Sequence, residues 1–131
     1  MKNTIFKLTE HVYYFSLLVL LILYLFPGSL IGYLLYGTLG QQPNLISNPI
    51  GTSINHLIFF SYITILAMTA RLRAKNILTN YRFILFISCA LEISHLIIPN
   101  RAFEFYDLIA NFTGVVIIIL ITSFTKWPKH I

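Results

Sequence analysis

Charged side chains are scarce in this sequence of 131 residues, and acidic ones are the scarcest. Asp and Glu together number four against nine Lys and Arg, and all charged residues make up 10% of the chain. A soluble domain is usually about a quarter charged, and a disordered chain combines low hydrophobicity with high net charge. Here 57% of the residues are hydrophobic and mean hydropathy is +0.80. The composition therefore excludes both classes and predicts a membrane protein, and the length predicts one domain over residues 1–131.

Cysteine is nearly absent, and so are the short motifs of common enzymes and metal proteins. The one cysteine, Cys89, lies in an apolar run, so no intramolecular disulfide forms and a secreted disulfide scaffold is excluded. The sequence contains no glycine-rich phosphate loop, no nucleophile elbow, no HExxH and no CxxC. These motifs mark nucleotide binding, acyl transfer and metal sites. We therefore expect no cofactor and no metal ion.

The basic residues are scattered between apolar stretches and form no single patch. They gather at the N-terminus, between residues 71 and 82, and near the C-terminus, while Arg101 stands apart. A nucleic-acid interface needs clustered basic residues, which this spacing does not provide. Loops between membrane spans have this spacing. We therefore expect partners to include membrane lipids, and no nucleic acid.

Four apolar stretches bounded by polar or basic residues predict four transmembrane helices. A helix rises 1.5 Å per residue, so about 20 residues cross a hydrocarbon core of about 30 Å. The predicted spans are residues 12–26 with the preceding turn from 8, about 54–70, 83–98, and about 103–124. A signal peptide is the alternative for the first stretch, but residues 26–29 (FPGS) make a poor cleavage site, which favours a retained helix.

A shorter apolar segment follows the first predicted span. Residues 29–40 (SLIGYLLYGTLG) are too few to cross a bilayer and include glycines at 32, 37 and 40. They predict a short re-entrant or interfacial segment, with part of a fifth, broken helix as the alternative. The fold class is therefore an all-α membrane protein of four transmembrane helices with this segment after the first.

The basic residues also predict an orientation. With four spans, the two termini and the connection from 71 to 82 share one side of the membrane, and Arg101 is alone on the other. Cytoplasmic loops carry the excess of Lys and Arg. We therefore expect a multi-pass protein of a bacterial plasma membrane with both termini cytoplasmic. The basic residues on the cytoplasmic side are Lys2, Lys7, Arg71, Arg73, Lys75, Arg82, Lys126 and Lys129.

Most of the few acidic residues fall within or beside the predicted spans. An ionisable group at the centre of a transmembrane helix costs about 2.5–3.5 kcal/mol on insertion scales and is often functional. Residues 92 and 95 share one helix face, and residues 104, 107, 111 and 114 form a stripe on another. The predicted topology brings these groups together in the outer half of the bilayer. The candidate functional polar cluster is His56, Glu92, His95, Arg101, Glu104, Asp107 and Asn111.

Several roles are open to these groups. Glu92 and Arg101 form either a structural ion pair between two helices or part of a ligand site. Glu104 and Asp107 either share a proton for acid–base work or balance the charge of Arg101, and we favour the latter. The two histidines and a carboxylate have no close ligand spacing, so a metal site is not predicted. Asn111 and Gly114 are typical of helix packing in membranes.

These residues resemble the pattern of the VanZ-like family of small membrane proteins. The resemblance covers about residues 51–118, roughly half of the chain. The family's Gln is replaced by His95, and Thr52-Ser53 stand where the family often has Asp-Lys before the histidine. The matching elements are His56, Glu92-x-x-His95, Pro99-x-Arg101 and Asp107-x-x-x-Asn111-x-x-Gly114.

The resemblance implies a cell-envelope protein rather than a known enzyme. The family's namesake is associated with low-level antibiotic resistance to teicoplanin, a lipid-bearing glycopeptide, and other members are similar to accessory envelope proteins. We expect an outward-facing polar intramembrane pocket that binds or shields an amphiphile or a lipid-linked glycan. Arg101 would pair with a phosphate or carboxylate, and Glu92 would hold Arg101. The alternatives are a membrane enzyme that acts on a lipid-phosphate or polyprenyl-linked substrate, with Glu92 or Asp107 as general base, and an accessory subunit of an envelope polysaccharide or membrane complex.

Overall fold

The computed structural model describes residues 2–44 and 51–125, and the secondary structure in these ranges is entirely helical. A serine, an asparagine and a glutamate each precede one of three helices. Serine and asparagine are preferred as N-caps, and a negative charge is favoured near a helix N-terminus. The five helices are α1 Lys2–Leu25, α2 Leu30–Tyr36, α3 Gly51–Arg71, α4 Tyr81–Ser94 and α5 Phe105–Phe124.

Three of these helices are long and apolar enough to cross a membrane. They are Thr4–Leu25 within α1, Gly51–Arg71 and Phe105–Phe124, and each has 20 to 22 residues. At 1.5 Å per residue this length matches a hydrocarbon core of about 30 Å. The predicted all-α fold is therefore confirmed for the described residues, and three of its helices are able to span a membrane.

The third predicted span, residues 83–98, is helical over a shorter stretch than expected. Helix α4 has 14 residues and ends at Ser94, which corresponds to about 21 Å. The backbone N–H groups of Leu96 and Ile97 then donate to carbonyl oxygens three residues back, at 3.1 and 3.0 Å, so the chain continues as tight turns. Pro99 disfavours helical backbone in the residue before it, and Asn100 has a positive φ of 57°. These two residues explain why the apolar stretch is longer than its helix.

The helices run up and down, with α1 and α4 antiparallel to α3 and α5. At one end of the bundle Arg73, just after α3, pairs with Glu10 of α1 at 3.4 Å. At the same end, Asn76 donates to the Tyr14 hydroxyl at 2.7 Å. At the other end, Tyr24 in the last turn of α1 contacts α3 and the end of α4. We call these the basic end and the polar end.

The basic end carries five of the eight basic residues predicted to share one side of the membrane. The side chains of Lys2, Lys126 and Lys129 lie outside the described part of the structure, so the prediction for them stays a prediction. Arg101 lies at the polar end. The five residues at the basic end are Lys7, Arg71, Arg73, Lys75 and Arg82.

Helix α1 shows how the core and the outer surface are divided. Tyr13, Leu17 and Leu20 recur at helical spacing and are buried against α3 and α4. Phe15 and Leu18 on the opposite face are 68% and 55% exposed. A helix that is apolar on both faces is typical of a membrane span, because lipid rather than water covers the outer face.

The segment predicted to be re-entrant or interfacial forms the short helix α2 and folds back over the polar end. The Ser29 hydroxyl accepts from the N–H of Gly32 at 2.9 Å, and Gly37 ends the helix with a φ of 72°. The Ser29 N–H donates to the carbonyl of Leu39 at 2.7 Å. A Cβ at Gly32 would lie 1.6 Å from the Gln41 carbonyl oxygen, so this return of the chain requires glycine. Seven residues are too few to span a bilayer.

Candidate functional site

All seven residues of the predicted polar cluster lie at the polar end of the bundle. Each one comes from the first two turns or the last turn of a helix, or from a connection at that end. His56 lies in the second turn of α3, Glu92 in the last turn of α4, His95 at its C-cap, Arg101 in the connection, Glu104 at the N-cap of α5, and Asp107 and Asn111 in its first two turns.

His56 connects α3 to α4 and α5. Its Nε2 lies 3.4 Å from Oδ2 of Asp107. Its Nδ1 lies 3.1 Å from Oδ1 of Asn111 and 3.7 Å from Oε2 of Glu92. Both ring nitrogens therefore face oxygen atoms of the protein, and these contacts fix the orientation of the ring.

Tyr24 is a central member of the cluster that the sequence did not predict. Its hydroxyl donates to Oδ1 of Asn111 at 3.0 Å and is hydrogen-bonded to Nδ1 of His56 at 2.7 Å. Its ring stacks on His95, with centroids 5.4 Å apart and planes inclined by 17°. Tyr24 resembles the many tyrosines near span ends. The signal that distinguishes it is its place in the last turn before Pro27-Gly28, which the predicted topology puts at the same end as the cluster.

Asp107 has a second partner that the sequence also did not predict. The Ser53 hydroxyl donates to Oδ1 of Asp107 at 2.5 Å, while Oδ2 faces His56. Ser53 and His56 are three residues apart on α3 and therefore project from the same face. Asp107 also lies in the first turn of α5, where the helix dipole favours a negative charge. Both carboxylate oxygens of Asp107 are thus engaged within the protein.

Glu92 is fully buried and lies between the two histidines. Its Oε1 accepts from the backbone N–H of Glu104 at 3.2 Å and lies 3.3 Å from Nδ1 of His95. Its Oε2 has no hydrogen-bond partner in the described part of the chain, and Nδ1 of His56 lies 3.7 Å from it. A buried carboxylate is costly unless it is paired and hydrogen-bonded. Glu92 therefore depends on both histidines.

His95 ties this carboxylate to α1. Its Nε2 lies 3.2 Å from the backbone carbonyl oxygen of Tyr24. A carbonyl only accepts hydrogen bonds, so Nε2 carries a hydrogen and donates it. Nδ1 then faces Glu92, and the ring is held between a backbone acceptor on α1 and a carboxylate on α4.

Arg101 is held by backbone carbonyl groups and not by the carboxylate that the sequence suggested. Its Nε donates to the carbonyl of Phe26 at 3.2 Å, and its Nη2 donates to the carbonyl of Leu23. Within residues 2–44 and 51–125, no carboxylate oxygen lies within 4.0 Å of the guanidinium. The last carbonyls of a helix lack intrahelical donors and carry partial negative charge. Arg101 therefore caps α1, and the predicted ion pair with Glu92 does not form.

Glu104 precedes α5 and differs from the other acidic residues of the cluster in being exposed. Its backbone N–H donates to Oε1 of Glu92, but its own side chain makes no capping hydrogen bond. Partial burial raises the pKa of the Glu104 carboxyl above its ordinary value, and the nearby charges of Asp107 and Glu92 raise it further. The carboxylate is thus the most accessible negative charge of the cluster.

Two cavities open beside the cluster. The first, which we call the polar cavity, measures about 310 Å³, and its wall includes Asn100, Glu104 and Asp107. The second, which we call the apolar cavity, measures about 130 Å³, and its wall includes Leu23, Ile31 and Phe59. The residues that line both cavities are Gln42, His56, His95 and Arg101.

Gly114 marks the closest approach of α3 and α5. A Cβ at this position would lie 2.6 Å from the carbonyl oxygen of Leu57 and 3.1 Å from the N of Ser61. The Ser61 hydroxyl donates to the Gly114 carbonyl at 3.2 Å. This contact sets the distance between the helices that carry His56 and Asp107.

In the part of the chain that the structure describes, no group of three His, Cys, Asp or Glu side chains is arranged to hold a metal ion. Comparisons of the chain with protein-family models, with curated proteins and with solved structures find no match. The resemblance to the VanZ-like family therefore rests on the motif residues between 51 and 118.

Proposed function

We propose that this chain is a VanZ-like protein of the bacterial cell envelope that binds an amphiphile at its polar end. The observation that carries the proposal is the pair of cavities that share one wall, because an amphiphile has a polar part and an apolar part joined to each other. The polar cavity would take the headgroup and the apolar cavity the start of the apolar body. His56, His95 and Arg101 line both cavities and would contact the junction between the two parts.

We further propose that the protein crosses the plasma membrane four times. In this arrangement α4 and the turns that follow it cross together with α1, α3 and α5. The basic end would face the cytoplasm, as the excess of Lys and Arg favours, so both termini would be cytoplasmic and the cavities would open outward. Helix α2 would lie at the outer interface, since Leu34 and Leu35 expose 74% and 62% of their surface. A lipid-linked glycan and an amphiphilic antibiotic would both approach from that side.

Binding is a better match to the cluster than proton transfer to a substrate. A general base needs an atom within hydrogen-bond reach of the proton that it removes. Both ring nitrogens of His56 and both carboxylate oxygens of Asp107 face protein atoms. Arg101, in contrast, uses Nε and Nη2 on the carbonyls of α1, and its Nη1 is left for an anion. The enzyme and the accessory subunit are the alternatives that the following experiment distinguishes.

The proposal is tested by photolabelling the full chain in lipid nanodiscs with a phospholipid that carries a diazirine near the start of its acyl chain. We expect labelled peptides from the walls of the apolar cavity. Phe59→Trp would fill this cavity and reduce that labelling about fivefold or more, since a cavity of this size has no room for three more ring atoms and a ligand. Phe86→Trp on the lipid-facing surface of α4, where Phe86 is 69% exposed, is the matched control and should leave the labelling unchanged.

Labelling that is confined to the outer faces of the helices, or that is equal in wild type and Phe59→Trp, would overturn the proposal. A change in the probe's chemical structure after incubation with the wild type would favour the enzyme. Co-purification of the chain only with a second protein, together with absence of cavity labelling, would favour the accessory subunit.

A further inference from the structure

The polar cavity contains charges of both signs, and the positive charge is fixed in place. Arg101 is anchored through two of its nitrogens to the carbonyls of Leu23 and Phe26. A guanidinium keeps its charge in proteins and prefers carboxylate or phosphate oxygens. Since these two anchors lie at the C-terminal end of α1 and in the residue after it, they restrict the motion of the guanidinium and leave Nη1 for a ligand.

Of the two carboxylates that line the same cavity, that of Glu104 makes no ion pair in the described part of the chain. The Glu104 carboxylate lies within 4.0 Å of no Lys, Arg or His nitrogen among residues 2–44 and 51–125. Asp107 lines the cavity beside it. Burial and the charges of Asp107 and Glu92 raise the pKa of Glu104, and His56 lowers it by less. A cation near Glu104 would relieve this repulsion.

Arg101 and Glu104 are close in sequence and line the same cavity. Residues 101–104 have no helical structure, and Glu104 has extended backbone angles of φ −123° and ψ 121°. Three residues of extended chain separate two Cα atoms by at most about 10 Å. A headgroup in this cavity that carries an anion and a cation would therefore have a side chain of opposite charge available for each.

We infer that the amphiphile bound at the polar end has a zwitterionic headgroup, with its phosphate or carboxylate on Arg101 and its ammonium group on Glu104. This inference rests on the proposed function. An anionic headgroup would meet two carboxylates in the same cavity, and a cationic headgroup would meet the guanidinium. A headgroup with both charges pairs its anion with Arg101 and its cation with Glu104. The apolar cavity next to Arg101 takes the adjoining apolar chain.

The inference is tested with two lipid probes that differ only in the ammonium group. The full chain in detergent is titrated with short-chain phosphatidylethanolamine and with its N-acetyl derivative, which keeps the phosphate and the chains but has no positive amine. Affinity is measured by displacement of the photolabel described above. We expect the wild type to prefer phosphatidylethanolamine about fivefold, the upper range for one accessible ion pair.

Two variants separate the inference from the proposed function. Glu104→Gln keeps the size and the exposed position of the side chain, and we expect it to bind both probes equally while cavity photolabelling persists. Glu10→Gln makes the same change in the acidic residue at the basic end and should keep the wild-type preference. Equal affinity of the wild type for the two probes, or an unchanged preference in Glu104→Gln, would overturn the zwitterionic headgroup alone. Loss of cavity labelling from the wild type itself would instead remove the proposed function.

Discussion

At the scale of single residues, the buried carboxylate of Glu92 holds the cluster together. Its surroundings supply a histidine on each side and one backbone N–H from the start of α5. Removal of one partner from a buried charged pair is strongly destabilising, because the other partner stays buried without compensation. Glu92 is therefore a structural requirement for the cavity wall, whatever ligand the cavity takes.

We expect Glu92→Ala to lower the free energy of unfolding by about 3–5 kcal/mol, because His95 and the Glu104 N–H lose their buried partner and His56 loses the nearby carboxylate. Glu10→Ala removes an ion pair whose Arg73 side chain is 40% exposed, and this control should cost about 0–1 kcal/mol. The measurement is denaturant or thermal unfolding of the full chain in detergent, followed by far-ultraviolet circular dichroism. Equal stability losses in the two variants would contradict the role given to Glu92.

The site residues that the sequence predicted and those that it missed differ in the kind of contact they make. His56, Glu92 and Asp107 were predicted to meet because ionisable residues are rare in membrane spans and their spacing fixes their helix faces. The partners of Arg101 were not predictable from residue types, since every residue has a carbonyl group and only the fold selects those of Leu23 and Phe26. Tyr24 was missed for a similar reason, because its role depends on which rings surround it.

At the scale of helices, the packing of α3 against α5 positions the two halves of the cluster. Hydropathy along the chain predicts that these helices exist, and their observed bounds are close to the predicted stretches of about 54–70 and 103–124. Helix α4 ends four residues before the predicted end of the third span, because hydropathy does not distinguish a helix from the tight turns that precede Pro99. Both cavities also depend on residues 29–44, which fold back over the polar end. Composition alone does not predict this return of the chain.

We expect Gly114→Ala to separate α3 from α5 and to destabilise the protein by about 1–3 kcal/mol, the usual cost of overpacking. The new Cβ would meet backbone atoms of Leu57 and Ser61, which cannot move away as a side chain can. Gly40→Ala is the matched control, because no atom lies within 4 Å of a Cβ built there. Thermal unfolding in detergent compares the two variants. A Gly114→Ala protein as stable as Gly40→Ala would show that the helices do not need this close approach.

At the scale of the whole molecule, the two ends of the bundle have different chemistry. The basic end carries Lys7, Arg71, Arg73, Lys75 and Arg82, and the polar end carries the cavities. The sequence predicted this separation, because alternate connections between spans must lie on opposite sides of a membrane. If the basic end is cytoplasmic, the cavities open on the outer side of the membrane. A ligand would then reach the cavities only from outside the cell.

That orientation and the two cavities together predict selective protection against a lipid-bearing drug. The wild type, Glu92→Gln and Arg101→Ala are expressed in a susceptible Gram-positive host, and sensitivity to teicoplanin is compared with sensitivity to vancomycin, which lacks the lipid tail. We expect the wild type to lower sensitivity to teicoplanin about twofold or more and to leave vancomycin sensitivity unchanged, because only the first drug has an apolar chain for the apolar cavity. Arg101→Ala should lose this protection because the anion of the drug loses its partner.

Membrane levels of each variant are measured alongside, and only variants inserted as well as the wild type are compared. Equal protection against both drugs, or none from a well-inserted wild type, would contradict an outward-facing amphiphile site with this role.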